Sequence, residues 1–348
     1  MPFNIHRIAQ LSVPVTTGWL LSSCMEAKGK QDLWTQRKPE VLKALRERAI
    51  IQSVESSNRI EGVIVDAGRL KPLIDGVQKP KDRPEEEIVG YRRALSWIFK
   101  RKKKEELTSE IIQHLHKLCQ GGMISDAGGW KTKNNEIIEI DSKGDRKVRF
   151  VPLEARLTPK AMKELCKEYA DIADRNELPV LLAIATCVFD FLCIHPFRDG
   201  NGRVSRLLTT FLLSQAGFEV CRYISLERLV EENKEDYYEV LKKCSSGWHK
   251  NKNELLPWIN FFLSILRDAY KDFAEQVEVV QRVGGKSDII RKLVQDQVAS
   301  FTLSDIHSQI LNASPQLIKR VLYQLKKEKK IALSGKGKSA RWKKLHSV

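Results

Sequence analysis

The sequence has no apolar stretch long enough to cross a bilayer as a helix. Its longest apolar run, Val180 to Ile194, is interrupted by Asp190 and falls short of the roughly 18 residues a span requires. The opening MPFNIHRIAQLSVPV lacks a long uncharged apolar core with a small-residue cleavage site, so no secretory leader is expected. Cysteine is scarce and unpatterned: seven residues, an odd number, with no C-x-x-C pair. That argues against a disulfide framework or a zinc site, and for reduced thiols on apolar helix faces in a cytoplasmic protein. No internal repeat occurs, and low complexity is confined to short lysine runs such as KRKKKEE. A membrane protein, a disulfide-stapled secreted domain and a repeat solenoid are all excluded as readings.

What remains is a folded, soluble chain of 348 residues, with 42% apolar and 30% charged residues. That length suggests two or three domains. The net charge of +16 is unevenly spread. From Val283 onward, fourteen lysines and arginines face four acids, a net of +10, which leaves +6 for the preceding 282 residues. The asymmetry predicts a separate basic module at the C-terminal end.

Most segments read as helix. KPEVLKALRERAIIQSVESSNRIEG opens with Pro39 at a favoured first helical position and closes with Gly62 at a favoured C′. TSEIIQHLHKLCQGG starts on a Thr-x-Glu cap and ends on Gly121 and Gly122, and NELLPWINFFLSILRDAYKDFAEQ is amphipathic. PVLLAIATCVFDFLCI is apolar all round and predicts a buried central helix. The segment from Gly128 to Pro152 differs: EIIEI and KVRFV flank the turn signal DSKGD, which predicts a β-hairpin. RVGGKS, around Gly284 and Gly285, reads as a linker.

The most informative stretch is FLCIHPFRDGNGRVSRLL. Pro196 disfavours helical geometry in the residue before it, so the central helix should end near Ile194. Gly200 and Gly202 allow a tight loop whose amides come close to a ligand, and a new helix is expected from about Arg203. A glycine loop opening onto a helix N-terminus is an anion site. Arg203 and Arg206 share a face at that N-terminus, against the helix dipole, an arrangement that makes sense when a polyanion sits there. Asp199 adds a hard oxygen suited to Mg²⁺ shared with substrate phosphates, and His195 can take a proton near neutral pH. Together these residues imply phosphate-ester chemistry on a nucleotide.

HPFRDGNGRVSR also resembles the Fic family signature, His-x-Phe-x-Asp-Gly-Asn-Gly-Arg-x-x-Arg, at every fixed position: His195, Phe197, Asp199, Gly200, Asn201, Gly202, Arg203 and Arg206. The resemblance extends from about Leu107 to Leu266. It implies a mainly α fold: a Fic helical core with a β-hairpin flap over 107–282, an N-terminal helical region over 1–106, and a module over 283–348. The activity it implies is transfer of AMP from ATP to a Ser, Thr or Tyr hydroxyl of a target protein. By this resemblance His195 is the base, Asp199 holds Mg²⁺, Gly200, Asn201 and Gly202 form the anion hole, Arg203 meets the α- and β-phosphates and Arg206 the γ-phosphate. Tyr237 and Tyr238 match a tyrosine pair near the adenine. Lys147, Val148, Arg149 and Phe150 match the flap strand that docks the target backbone. Two positions depart from the pattern: Ser245 stands where an asparagine is common and Leu153 where a second proline is common. A homodimer is compatible with this reading.

Ser57-x-x-x-Glu61-Gly62 resembles the family's inhibitory motif. The resemblance implies that Glu61 pairs with Arg206 and denies it the γ-phosphate. A carboxylate near a helix C-terminus needs a cation in any case. In the basic tail, TLSDIHSQI, SPQLIKRVLYQLKKEKKI and ALSGKGKSARWKKL read as helix, turn, longer helix and wing, and resemble a winged helix-turn-helix that would bind DNA or dock a protein. Two other functions stay open at the level of sequence: a DNA-binding regulator whose core only senses ATP, and removal of AMP or transfer of another phosphate-linked group.

Overall fold

The computed structural model describes residues 4–35, 39–101, 104–120, 126–140, 146–175, 178–282, 286–297, 300–310, 313–335 and 340–345. The fold is mainly α. The helices are α1 (Asn4–Arg7), α2 (Val15–Thr35), α3 (Pro39–Ile60), α4 (Ala67–Ile74), α5 (Arg83–Lys100), α6 (Ser109–Gln120), α7 (Thr158–Arg175), α8 (Val180–Ile194), α9 (Asn201–Gln215), α10 (Leu226–Glu232), α11 (Lys234–Ser245), α12 (Leu256–Arg282), α13 (Lys286–Gln295), α14 (Leu303–Ser308) and α15 (Pro315–Lys327). Two antiparallel hairpins interrupt them, β1 (Ile137–Ile140) with β2 (Arg146–Phe150), and β3 (Ile331–Ser334) with β4 (Arg341–Lys344). Gly121 and Gly122, the turn DSKGD and the linker glycines Gly284 and Gly285 lie outside the described residues. No described helix is long and apolar enough to cross a membrane.

The residues form two compact units, 1–29 with 49–270, and 30–48 with 271–348. In the first, α8 is the axis. Every residue from Leu181 to Ile194 is buried. Burying a leucine, isoleucine or phenylalanine side chain contributes about 1.5–3 kcal/mol, so α8 is firmly seated. Helices α7 and α9 pack on it, and α5 and α6 flank α9. Asp190, the one charge in this run, is accommodated by hydrogen bonds: Asn4 Nδ2 donates to its Oδ1 at 2.6 Å and Trp248 Nε1 at 2.8 Å. All seven cysteines are free and buried, and burial pushes the Cys24 thiol up to about 12 and the Cys119 thiol to about 11.

Local signals place the helix starts that matter. Asp82 caps α5 by accepting from Glu85 N at 3.0 Å. The hydroxyl of Thr108 accepts from Ile111 N at 3.3 Å, as its cap position predicts for α6. Helix α3 spans the expected residues and ends before Gly62, whose φ of +79° suits a glycine C′. In the first hairpin, Ile138 faces Val148, Glu139 faces Lys147 and Ile140 faces Arg146, with a bulge between Ile137 and Ile138.

In the second unit, α13, α14, α15 and the β3–β4 hairpin enclose one apolar cluster that includes Ile290, Phe301, Ile318, Leu322 and Trp342. Phe301 and Trp342 exchange both backbone hydrogen bonds, at 2.9 and 2.7 Å, which adds a bridge beside β4. Thr302 and Asp305 form a capping box on α14, and Ser314 caps α15 with Pro315 at its first position.

Candidate functional site

The loop between α8 and α9 is built by backbone geometry first. The chain leaves α8 at His195 in the left-handed conformation, φ +51° and ψ +60°, a region where non-glycine residues are uncommon. This is how the chain turns before Pro196. Gly200, at φ +77°, then starts α9 two residues earlier than the sequence suggested, so that Asn201 and Gly202 are its first turn. The N–H groups of such a turn have no partners within the helix.

Three side chains hold the loop in this shape. Asn201 is buried, and its amide donates to Phe197 O at 2.8 Å and accepts from Phe197 N at 2.9 Å. Its side chain is thus turned inward, and its backbone amide is what it can offer an anion. Lys131 is buried and donates to Ile194 O at 3.0 Å and Asn135 Oδ1 at 2.9 Å, capping the end of α8. Burial lowers its ammonium to about 8. His116 stacks on Phe197, with ring centroids 3.8 Å apart. Its Nδ1 accepts from Gly128 N at 2.8 Å, so Nε2 carries the proton and donates to Asp199 O at 3.2 Å. Lys131 and His116 were not singled out from sequence. A lysine in GGWKTKNN reads as solvated, and only its fold places it under the loop.

His195 has the tautomer of a base. Its Nδ1 lies 3.2 Å from the Leu192 carbonyl, which can only accept, so Nδ1 bears the proton and Nε2 is bare. Burial pushes the imidazole down to about 4, outweighing the Leu192 contact that opposes it. Asp199 is half-exposed. Burial would raise its carboxyl, but the Gly200 amide and the Arg203 and Arg83 cations hold it below the usual carboxylate range. Arg83, from the first turn of α5, donates to Asp199 Oδ2 at 2.6 Å and to Glu87 Oε1 at 2.9 Å.

Two arginines of α9 meet two glutamates. Arg203 Nη1 lies 2.7 Å from Glu87 Oε2, a charge contact without hydrogen-bond alignment, with both side chains 3% exposed. Arg206 Nη2 lies 2.7 Å from Glu61 Oε1, with side chains 7% and 32% exposed. Ser57 holds the same guanidinium: its hydroxyl accepts from Nε at 2.9 Å and its carbonyl from Nη2 at 3.0 Å. Burial opposes the Arg206 charge, but Glu61 together with Tyr237 and Tyr91 outweighs it, so the guanidinium is held above its ordinary range. Arg203 Nε and Arg206 Nη1 are buried donors without a hydrogen-bond partner, a costly state unless an acceptor arrives. The Glu61 carboxylate also lies against Gly202, so closely that a Cβ there would collide with it.

Glu61, His195, Asp199, Gly200, Asn201 and Gly202 line an open cleft of about 980 Å³. Its far wall is the hairpin, with Arg149 and Phe150, and α11, with Tyr237, Tyr238 and Ser245. Tyr237 is buried against Trp258 and Phe261, and its ring lies 5.3 Å from that of Tyr238. Arg149 sits 5.7 Å from the Tyr238 ring. On β2, Lys147 and Val148 are exposed, and β2 pairs only with β1 among the described residues. His249 braces the hairpin by stacking on Phe150 at 5.6 Å and donating to Val151 O at 2.7 Å. The cleft thus offers a bare imidazole nitrogen, a carboxylate and a helix N-terminus, and the helix behind that N-terminus carries two arginines with partnerless N–H groups. That set can receive a proton while binding a polyanion.

Known proteins share the fold. The chain is similar to a Fic family protein from Desulfovibrio desulfuricans G20, with a TM-score of 0.62, 18% identity, and coverage of 97% of this chain and 98% of that one. A Fic-domain-containing signalling protein from Bacteroides thetaiotaomicron VPI-5482 also superposes at 0.62, with 24% identity, over 74% of this chain and 97% of that one. Among curated proteins, it is 24% identical over 229 residues to the protein adenylyltransferase Fic of Nematostella vectensis, covering 63% of this chain and 47% of that protein. It is 24% identical over 275 residues to that of Drosophila willistoni, covering 75% and 50%. The chain spans about half the length of these curated relatives. Residues 106–213, which carry α6, the hairpin, α8, the loop and most of α9, match the Fic/DOC family, and the chain carries a Fic domain there.

Proposed function

We propose that this protein transfers AMP from ATP to a serine, threonine or tyrosine hydroxyl of a target protein, and that Glu61 restrains the transfer. One observation carries the reading: the loop that presents the bare Nε2 of His195 also delivers Asp199, the N-terminus of α9 and two buried arginines with donors to spare. The target oxygen attacks the α-phosphorus of ATP and forms the new P–O bond. The bond from that phosphorus to the β-phosphate oxygen breaks, and pyrophosphate leaves. The hydroxyl proton passes to His195 Nε2. Charge that develops on the phosphoryl oxygens is met by the N–H groups of Asn201 and Gly202 and by Arg203, all fixed before the reaction begins. The absence of a side chain at Gly202 leaves room for the α-phosphate.

Among the described residues no three imidazoles, thiols or carboxylates cluster as a metal site. The donor set fits Mg²⁺ only as one carboxylate, Asp199, completed by phosphate oxygens and water, the arrangement this ion favours. Arg83 already places a cation on Asp199 Oδ2. Magnesium held there would supply further neutralisation of phosphate charge.

Glu61 and Ser57 together occupy Arg206. While Glu61 lies over Gly202 and on Arg206, a γ-phosphate must compete with its carboxylate for that guanidinium, and the triphosphate cannot settle for in-line attack. The open edge of β2, from Lys147 to Phe150, would pair with an extended segment of the target and bring its hydroxyl towards His195. Tyr237 and Tyr238 would border the adenine. Seven buried, unpaired thiols suit a reducing compartment such as the cytoplasm.

The test is incubation with labelled ATP and cell lysate, using Glu61→Gly and the double variant Glu61→Gly/His195→Ala. Loss of the base should lower labelling by about 10²–10⁴-fold while ATP binding persists. Labelling by Glu61→Gly should hold below pH 6.5 and fall only towards pH 4, because burial keeps the imidazole unprotonated down to that range. Undiminished labelling without His195 would overturn the assignment.

A further inference from the structure

The C-terminal residues carry a surface that adenylyl transfer does not use. Helix α15 buries Ile318, Val321, Leu322 and Leu325 on one side. At 100° per residue its opposite side presents Gln316, Lys319, Arg320, Tyr323 and Lys327, and all five are exposed. The helix contains no acid. Glu328, just beyond it, does not neutralise the stripe, because Arg291 holds it at 2.8 Å and Lys330 at 3.0 Å. Those two cations also keep its carboxyl down at about 2. The neighbouring strand adds more positive charge: along β4, Arg341 and Lys343 are exposed on either side of buried Trp342.

Clustered cations on one face repel each other, and a solvated surface gains nothing from excluding acids. Tyr323 is a second, independent sign. It lies in the middle of the cationic stripe, 46% exposed, with its ring fixed edge-on against Trp342 at 5.4 Å. A fixed, exposed aromatic flanked by cations is a contact surface rather than a solubilising one. The dimensions select the partner. A helix is about 10–12 Å across with its side chains, and the major groove of B-DNA is about 12 Å wide. Thirteen residues give α15 a length of about 20 Å, enough to lie along the groove.

We propose that α13, α14, α15 and the β3–β4 hairpin together form a module that binds duplex DNA in the manner of a winged helix. Helix α15 enters the major groove, and Arg341 and Lys343 contact phosphates beside it. This binding is separate from the nucleotide chemistry and does not rest on it.

The experiment uses the full chain and a labelled duplex of about 20 base pairs, read by fluorescence anisotropy from about 50 mM salt upward. The wild type should bind, with log K falling linearly with log salt. Lys319→Glu/Arg320→Glu should bind at least tenfold more weakly, and its salt slope should be shallower by about 2. Both residues are exposed, so the variant should keep the thermal midpoint and ATP-dependent labelling of the parent. Absence of wild-type binding at low salt, equal binding by the variant, or tighter binding of single-stranded RNA of the same length would each overturn the proposal.

Discussion

Arg203 and Arg206 stand one turn apart on α9, and each meets a glutamate oxygen at 2.7 Å. Distance does not separate the pairs; surroundings do. Glu87 is 3% exposed, rises from the interior of α5, and lies between the guanidiniums of Arg203 and Arg83. It is part of the frame that holds α5 against α9. Glu61 follows the last turn of α3, where the helix dipole disfavours a carboxylate, and a third of its side chain faces solvent. Rotation of this side chain into water would leave Arg206 with Ser57 and make room for an anion. The difference teaches which of two equally short ion pairs can be a switch: the one whose acid has somewhere to go.

The comparison breaks most readily in stability. Glu87→Ala strands Arg203 as a buried charge and should cost about 3–5 kcal/mol of unfolding free energy in a urea titration. Glu61→Gly should cost less, about 1–3 kcal/mol, because Ser57 still accepts from the buried Arg206 guanidinium and Glu61 itself is partly exposed. Equal losses would mean that the two pairs are alike. A smaller effect is expected in turnover. Glu61→Gly should raise self-labelling with ATP by about tenfold, the equivalent of ~1.4 kcal/mol of relieved competition for Arg206. Arg206→Ala added to that variant should cancel most of the gain, and additive effects in this double-mutant cycle would show that the residues do not act through one contact. The smallest effect concerns the third cation near the loop. Arg83 and Asp199 are each about half exposed, so their pair should yield readily to a divalent ion. Arg83→Gln should tighten Mn²⁺ binding to the ADP-loaded protein a few-fold by electron paramagnetic resonance, and Asp199→Asn should weaken it. Weaker binding in Arg83→Gln would make this arginine a support for the ion instead of its competitor.

Much of this site was legible in the sequence, for a physical reason. The loop's geometry is set by its own residues: Pro196 ends α8, Gly200 starts α9, and the spacing of Arg203 and Arg206 puts both on one face. The Glu61–Arg206 contact, 145 residues apart, came into view only through resemblance. Glu87, Arg83, Lys131 and His116 stayed hidden because their roles depend on which helices become neighbours. Even so, Glu87 left a trace. Among the three successive glutamates of α5, it lies four residues before Tyr91 and eight before Leu95, on the stripe that faces the core. Helical period alone marks it as an acid that must be paired.

The left-handed backbone at His195 has a consequence for how the protein can change over time. A residue other than glycine in that conformation costs about 1–2 kcal/mol. Glycine there would relax the turn and also remove the imidazole. The most stable sequence at position 195 is therefore expected to lack the imidazole that the proposed transfer requires. A population selected only for thermal endurance would drift towards a firmer fold with a silent cleft, and the histidine persists only where its chemistry is under selection.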